Sequence, residues 1–395
     1  MFLKTKTYVR WLKILANSFN TFLPTLTNII TSAIVIRLFD SEWWGQITIL
    51  QLYMFLGAQF SAWGNRDSLL KLFSEHPSDI KSYWIQSFSS RLFFLIPILA
   101  GTYFVSENFI EIFYLSIWIV LRYFNQSFES IILFSRDFIS SILAEIFGLL
   151  FTCLGLLIFK DSLSYNEVLL VLTIGYLFKM IVLTIKFKSF FSFSYLLKPD
   201  FKKLMTFFPF MVISFMGVLQ QKVDIISMTW FLSKNEIAQY QVYSSFLLFA
   251  HSIPGLLISP YIKNIYRLPK SIFSKLNNYF LGLGLVISVI SIALIYIAIT
   301  LIYQFNFSFT LYLLGFINIL LTYFYILEIF ILFKYNKQKH VMIINGVIIL
   351  INFIFCYLLI EELKIQGAIL ANIICQIIIY LSYKFYLRFN LSIKL

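Results

Sequence analysis

Long apolar runs recur along this chain, each bounded by a short polar or basic segment. Runs of spanning length fall at 12–36, 43–64, 83–105, 109–134, 138–159 and 165–187. A second set falls at 205–232, 237–262, 277–304, 308–333, 340–360 and 365–387. The hydrocarbon core of a bilayer, about 30 Å thick, is crossed by about 20 helical residues, so each run predicts one membrane helix. Membrane strands would read instead as alternating segments of about 10 residues. Leu281 to Ile302 is apolar throughout, which excludes them. The expected fold is an all-α integral membrane protein of 12 transmembrane helices.

Composition agrees with the pattern. Of 395 residues, 60% are hydrophobic and 12% charged, with a mean hydropathy of +0.86. A soluble domain carries about 25% charged residues, so soluble enzymes, secreted domains and disordered chains are excluded. The net charge of +13 does not point to nucleic acid, because the basic residues lie between apolar runs rather than on a soluble basic face. Cys153, Cys356 and Cys375 are far apart, so neither a disulfide framework nor a paired-cysteine metal site is expected. Behind Lys4, Lys6, Arg10 and Lys13 the first apolar run continues to about Arg37, too long for a cleaved signal peptide.

Basic loops resist translocation, and here they alternate strictly. With the N-terminus inside, the outer loops hold only Arg37, Lys160, Lys234 and Lys364. The inner segments hold most of the rest, including the run Lys198-Pro199-Asp200-Phe201-Lys202-Lys203. Both termini are therefore expected in the cytoplasm of a multi-pass inner-membrane protein. That mid-chain run separates six spans from six. Laying Leu38–Gln46 over Phe231–Gln239 matches two outer hairpins, each between the first and second spans of its half. The halves, 1–195 and 196–395, are expected to be duplicated six-helix bundles. Each holds an even number of spans, so their pseudo-twofold should follow the membrane normal, with a cleft between them.

Polar residues inside spans are costly in lipid and are therefore candidate functional groups. Span four carries Arg122, Asn125, Gln126 and Glu129 on one helical face. Counted at 1.5 Å per residue from the inner end, Glu129 lies about 8 Å deep and Arg122 about 18 Å. Arg91 on span three and Glu145 on span five fall at about 10 to 13 Å. Two bases and two acids at neighbouring depths are expected to pair, either as a structural network or as cargo-contacting and proton-coupling groups. Span seven repeats polar and small positions at Ser214, Gly217, Gln221, Asp224 and Met228. Pro209 and Gly217 suggest that this helix bends and turns Asp224 toward a cavity, with Lys222 reaching it only through the bend. Further candidates are His251 midway along span eight, and Gln239, Tyr240, Tyr243 and Ser244 at its outer end. Gln46 and Gln51 on span two, with Asn17, Asn20 and Asn28 on span one, join them as possible glycan contacts. Lys179 and Glu328 are expected to snorkel or pair, and Trp43, Trp44 and Trp63 to form an interfacial belt.

Leu204-Met205-Thr206-Phe207-Phe208-Pro209-Phe210 opens the second half. Asp224 follows within Gln220–Ile226, then the turn Leu232–Tyr240, then the exit Ile258-Ser259-Pro260. This order resembles the polysaccharide flippase branch of the multidrug/oligosaccharidyl-lipid/polysaccharide exporter superfamily, which includes the O-antigen flippases. Ala238 stands where that family usually has glycine before the tyrosine of the turn, and further traces occur at Trp44-Gly45 and Gly367–Asn372. The resemblance implies a two-bundle exporter working by alternating access on an undecaprenyl-diphosphate-linked oligosaccharide. It implies no covalent chemistry and no cofactor beyond coupling to a proton or sodium gradient. A polysaccharide polymerase and chain-length machinery would be the implied partners, in O-antigen and lipopolysaccharide, capsule or exopolysaccharide assembly. A membrane polymerase or acyltransferase would need acid, base or nucleophile groups in a sizeable outer loop, which the short loops do not offer. A nucleotide-driven pump would need a phosphate-binding glycine loop, which the sequence lacks. A multidrug cation antiporter of the same superfamily is the nearest rival, but it should favour a net acidic interior. Arg91, Arg122, Lys179 and Lys222 here balance Glu129, Glu145, Asp224 and Glu328.

Overall fold

The computed structural model describes residues 2–106, 108–191, 199–258, 265, 267, 270–335 and 337–390. Side chains of residues 2–15, 203, 270, 271, 274 and 390 are excluded. Residues 192–198 of the expected mid-chain linker and the Ser259-Pro260 exit lie outside the described residues. Every regular element within them is helical. In chain order these are α1 (Phe2–Leu38), α2 (Ser41–Ala62), α3 (Asn65–Glu75), α4 (Ile80–Gly101), α5 (Phe109–Ser135), α6 (Phe138–Ile158) and α7 (Tyr165–Lys186). There follow α8 (Phe201–Thr206), α9 (Phe208–Phe231), α10 (Lys234–Ile258), α11 (Lys270–Ala298) and α12 (Phe309–Lys334). Gln338–Asn390 is continuous except at Lys364 (φ 51°, ψ −128°), which divides it into α13 (338–363) and α14 (365–390). Among the described residues, nine elements are long and apolar enough to cross a membrane, the Gln338–Phe389 stretch counting as one. Helices α2 and α5 have spanning length but carry more polar positions.

The helix ends follow from local chemistry. The Asp40 carboxylate accepts from Glu42 N (2.9 Å) to open α2, and the Asn108 carbonyl oxygen accepts from Ile110 N (3.0 Å) to open α5. Such side-chain acceptors satisfy amides that have no partner within the helix. Ser164 and Glu167 close a reciprocal box at the start of α7. Helix α2 ends in two left-handed residues, Trp63 (φ 48°) and Gly64 (φ 66°), which turn the chain at once into α3. Only glycine fits at the second position, because a Cβ there would lie 2.6 Å from Met211 N. The span pattern assigns no element to the connection before span three. It contains the 11-residue helix α3, whose buried Leu69 and Phe73 are too few to register in a window of spanning length.

The chain divides into two compact units, Met1–Gln221 and Lys222–Leu395. In the first, α5 packs against α2, α3 and α7, and α1 lies on α6. Helices α6 and α7 approach closely because glycines face each other, and a Cβ on Gly148 would lie 2.9 Å from the Gly175 carbonyl. Aromatic residues fill the rest of this core, with the indole N–H of Trp84 donating to the Ser127 carbonyl (2.7 Å) and that of Trp118 to Thr173 Oγ1 (2.7 Å). The expected interfacial belt is only partly present. Trp44 is fully buried, and Trp63 stacks on Phe94 (4.2 Å) and donates to the Leu204 carbonyl (3.1 Å), so it is a core residue. Trp43 remains half-buried between Phe39 and Tyr165. In the second unit, α12 packs against α10, α11 and the α13/α14 pair. The side chain of Tyr243 is fully buried, donates to the Leu311 carbonyl (2.8 Å) and lies over Gly315.

Candidate functional site

The polar face expected on span four forms on α5, within the first unit. Asn125 is 5% exposed, and neither atom of its amide has a hydrogen-bond partner among the described residues. The same holds for Gln126 Oε1 and Arg122 Nε. The Arg122 guanidinium lies 5.0 Å from the centre of the Phe55 ring on α2 and pairs with no carboxylate among the described residues. Lys179 on α7 is within electrostatic reach of both Arg122 and Glu129, and Tyr176 is within reach of Arg122. Gln51 donates to Tyr176 (3.5 Å). The result is a cluster of charges and unpartnered amides, drawn from α2, α5, α6 and α7.

The expected pairing of Arg91 and Arg122 with Glu129 and Glu145 is not what forms. Glu145 pairs with Lys179 instead, because the Gly148–Gly175 contact draws α6 onto α7 and sets Lys179, one turn beyond Gly175, against it. Arg91 is fully buried among neutral groups. Its Nε donates to the Ser87 carbonyl (3.2 Å), its Nη2 to Ser127 Oγ (3.2 Å) and its Nη1 to the Ala62 carbonyl (3.5 Å), and the guanidinium lies 5.2 Å from the Tyr123 ring. Those contacts tie α4 to α2 and α5. Glu111 is a further buried carboxylate, one that the polar positions within the spans do not single out. Glu111, 5% exposed, accepts from Ser106 (2.6 Å), Gln46 (3.0 Å) and Tyr165 (3.0 Å), so Gln46 serves that cluster. In sequence Glu111 reads as an ordinary first-turn acid, and its partners lie 5, 65 and 54 positions away. Among the described residues, Asn17, Asn20 and Asn28 on α1 make no side-chain hydrogen bond to either cluster.

In the second unit Asp224 is the centre of a hydrogen-bonded chain. Its carboxylate accepts from the Tyr240 hydroxyl, from Ile225 N (2.8 Å) and from the Asn372 amide (3.5 Å). The amide of Asn352 in turn donates to the Asn372 carbonyl oxygen (3.1 Å). The chain links α9, α10, α13 and α14, with Lys222 in electrostatic reach. Pro209 falls in the first turn of α9, where an N–H is not needed, and the helix is continuous over Phe208–Phe231. Gln221 on α9 is exposed, while Ser214 bonds to Gln59 within the first unit. Tyr243 is committed to Leu311, Ser244 to the Gln241 carbonyl and Gln239 to Asn235. His251 lies beside Asn318 on α12, with Nε2 unpartnered. Glu328, expected to snorkel or pair, is 1% exposed and makes no ion pair among the described residues.

No family model matches the chain, and no curated protein matches it. Solved structures do. An inward-facing multidrug resistance transporter of the MATE family, within the MOP superfamily, aligns over 94% of this chain and 97% of its own, with TM-score 0.64 and 11% identity. The lipid II flippase MurJ, in an inward closed conformation, aligns over 93% of this chain and 86% of its own, with TM-score 0.66 and 16% identity. A MOP superfamily transporter from Pyrococcus furiosus aligns over 94% of each chain, with TM-score 0.55 and 11% identity. The chain therefore has the fold of the MOP superfamily transporters.

Proposed function

We propose that this protein is a flippase that carries an oligosaccharide unit linked to undecaprenyl diphosphate across the cell inner membrane by alternating access. In this reading the chain crosses the membrane 12 times with both termini cytoplasmic, as duplicated bundles over 1–195 and 196–395. A proton or sodium gradient supplies the energy, no covalent step occurs, and the exported unit passes to a polysaccharide polymerase and its chain-length machinery. The observation that carries the reading is Arg122, a half-buried cation within a span and without a carboxylate partner among the described residues, beside the Asn125 amide and Gln126 Oε1, which are likewise unpartnered there. A guanidinium binds phosphate oxygens through a fixed fork of donors, and free amides suit sugar hydroxyls. The fold shared with a lipid II flippase favours the same cargo class. A multidrug cation antiporter is the second reading. Glu129 favours it, because this carboxylate on the same face makes no ion pair among the described residues and would receive a cation.

Deleting the gene and measuring lipid-linked glycan on the inner leaflet together with surface polysaccharide tests the proposal. Accumulation inside with loss outside, reversed by the wild-type gene, is the expected result. Unchanged surface polysaccharide with raised drug sensitivity, in a strain without a redundant flippase, would favour the antiporter.

A further inference from the structure

The end of α14 presents cations and apolar side chains on one exposed face. Leu381, Lys384, Phe385, Arg388 and Phe389 fall at i, i+3, i+4, i+7 and i+8, so they share one side of the helix. All five are exposed, Leu381 by 55%, Phe385 by 62% and Phe389 by 64%. The Phe385 and Phe389 rings lie 4.4 Å apart, and the Arg388 guanidinium is 6.0 Å from the centre of the Phe389 ring. The Lys384 ammonium lies 5.0 Å from the centre of the Tyr380 ring and donates to its hydroxyl (2.8 Å). Neither Lys384 nor Arg388 forms an ion pair among the described residues.

Helix length sets the depth of this stripe. Counted from the Lys364 turn, α14 rises about 39 Å to Asn390, whereas a hydrocarbon core of about 30 Å is crossed by about 20 residues and so ends near Lys384. The stripe therefore straddles the level where acyl chains give way to headgroups. Hydrocarbon penalises the cations and water penalises the rings, and this level accepts both. The surroundings set the sign of the partner. The Tyr386 ring lies 4.7 Å from that of His340 at the start of α13, and Lys337 and Lys339 precede His340 in sequence. From Ile237 to Leu395 the acids are Glu328, Glu361 and Glu362 alone. Glu328 is buried, and the other two lie beside Lys364 at the opposite end of α14. A headgroup amine would find no exposed carboxylate at this end, whereas a net-anionic phosphate headgroup meets cations.

We propose that this face of α14 binds an anionic glycerophospholipid whose headgroup lacks an amine. Lys384 and Arg388 hold its phosphate, and its acyl chains lie along Leu381, Phe385 and Phe389. The Arg388 fork suits two phosphate oxygens, and Lys384, one turn earlier, adds a second charge. Because all five side chains lie open along the helix, the occupant is drawn from the bulk lipid around the protein. The site shares no residue with the Arg122 cluster or the Asp224 chain and does not depend on which cargo the protein carries.

Photocrosslinking of the full chain tests it, in phosphatidylcholine nanodiscs that carry a small fraction of either phosphatidylglycerol or phosphatidylcholine with a photoreactive acyl chain. The peptide containing Phe385 and Phe389 should be labelled several-fold more by phosphatidylglycerol than by phosphatidylcholine. Lys384→Gln/Arg388→Gln should abolish that preference at this peptide. Raising the salt should reduce it in the wild type as well, because exposed charges are screened, which keeps the test open if the double variant fails to fold. Equal labelling by the two lipids in the wild type, or a preference untouched by charge removal or by salt, would overturn the proposal. So would loss of most of the labelling to an equal amount of undecaprenyl phosphate, which would mark the face as a site for the cargo's lipid instead.

Discussion

Removing one member of the Lys179–Glu145 pair gives a direct measure of how the first unit is held together. The two side chains are 13% and 11% exposed, so the pair sits close to the buried limit. Stripping one partner from a buried pair costs about 3–5 kcal/mol, mostly the penalty of a stranded charge. For Lys179→Met the lower end applies, because the Arg122 cation belongs to the same cluster and offsets part of the charge left on Glu145. For a unit of 221 residues, each kcal/mol shifts the midpoint by about 2–4 °C, so about 3 kcal/mol predicts a fall of about 6–12 °C. The double variant Lys179→Met/Glu145→Leu removes both charges and should recover to within about 1 kcal/mol of the wild type, since an apolar replacement of a buried pair is often neutral. Thermal unfolding in nanodiscs, followed by tryptophan fluorescence at matched lipid, reads both. A single variant as stable as the wild type would refute the burial argument. A double variant as damaged as the sum of the two singles would refute the pairing.

Arg122→Ala should cut glycan export about tenfold or more at matched membrane abundance, on the scale of a lost charge-assisted hydrogen bond, while Arg122→Lys recovers part of it; normal surface glycan in the alanine variant would remove Arg122 from the site. Tyr240→Phe strips the buried Asp224 carboxylate of a donor and should lower the unfolding free energy by about 1–3 kcal/mol, measured by denaturant titration in nanodiscs. Gly64→Ala should destabilise by about 1–3 kcal/mol, because the position has positive φ and its Cβ would meet Met211 N; a variant with unchanged melting would contradict the packing of the α2–α3 turn.

Much of the span pattern was legible in the sequence because the bilayer acts on each segment separately. Apolar runs near Phe138–Ile158 and Phe309–Lys334 become helices with almost the same limits, since length and mean hydropathy are properties of a segment alone. The shared face of Arg122, Asn125, Gln126 and Glu129 was legible for a similar reason, helical periodicity being local. The partners were not. That Glu145 meets Lys179 rather than an arginine depends on how closely Gly148 and Gly175 let two helices approach. That Arg91 ends among Ser87, Ser127 and Tyr123 depends on the rotation of α4 about its own axis. Glu111 and Glu328 show the same division, one gathering donors from distant positions and the other with its Oε2 unpartnered among the described residues. Hydropathy decides that a residue leaves water, which is a one-dimensional property of the chain. Which polar groups then satisfy one another is set by interhelical distance and axial rotation, which only the packed tertiary structure fixes.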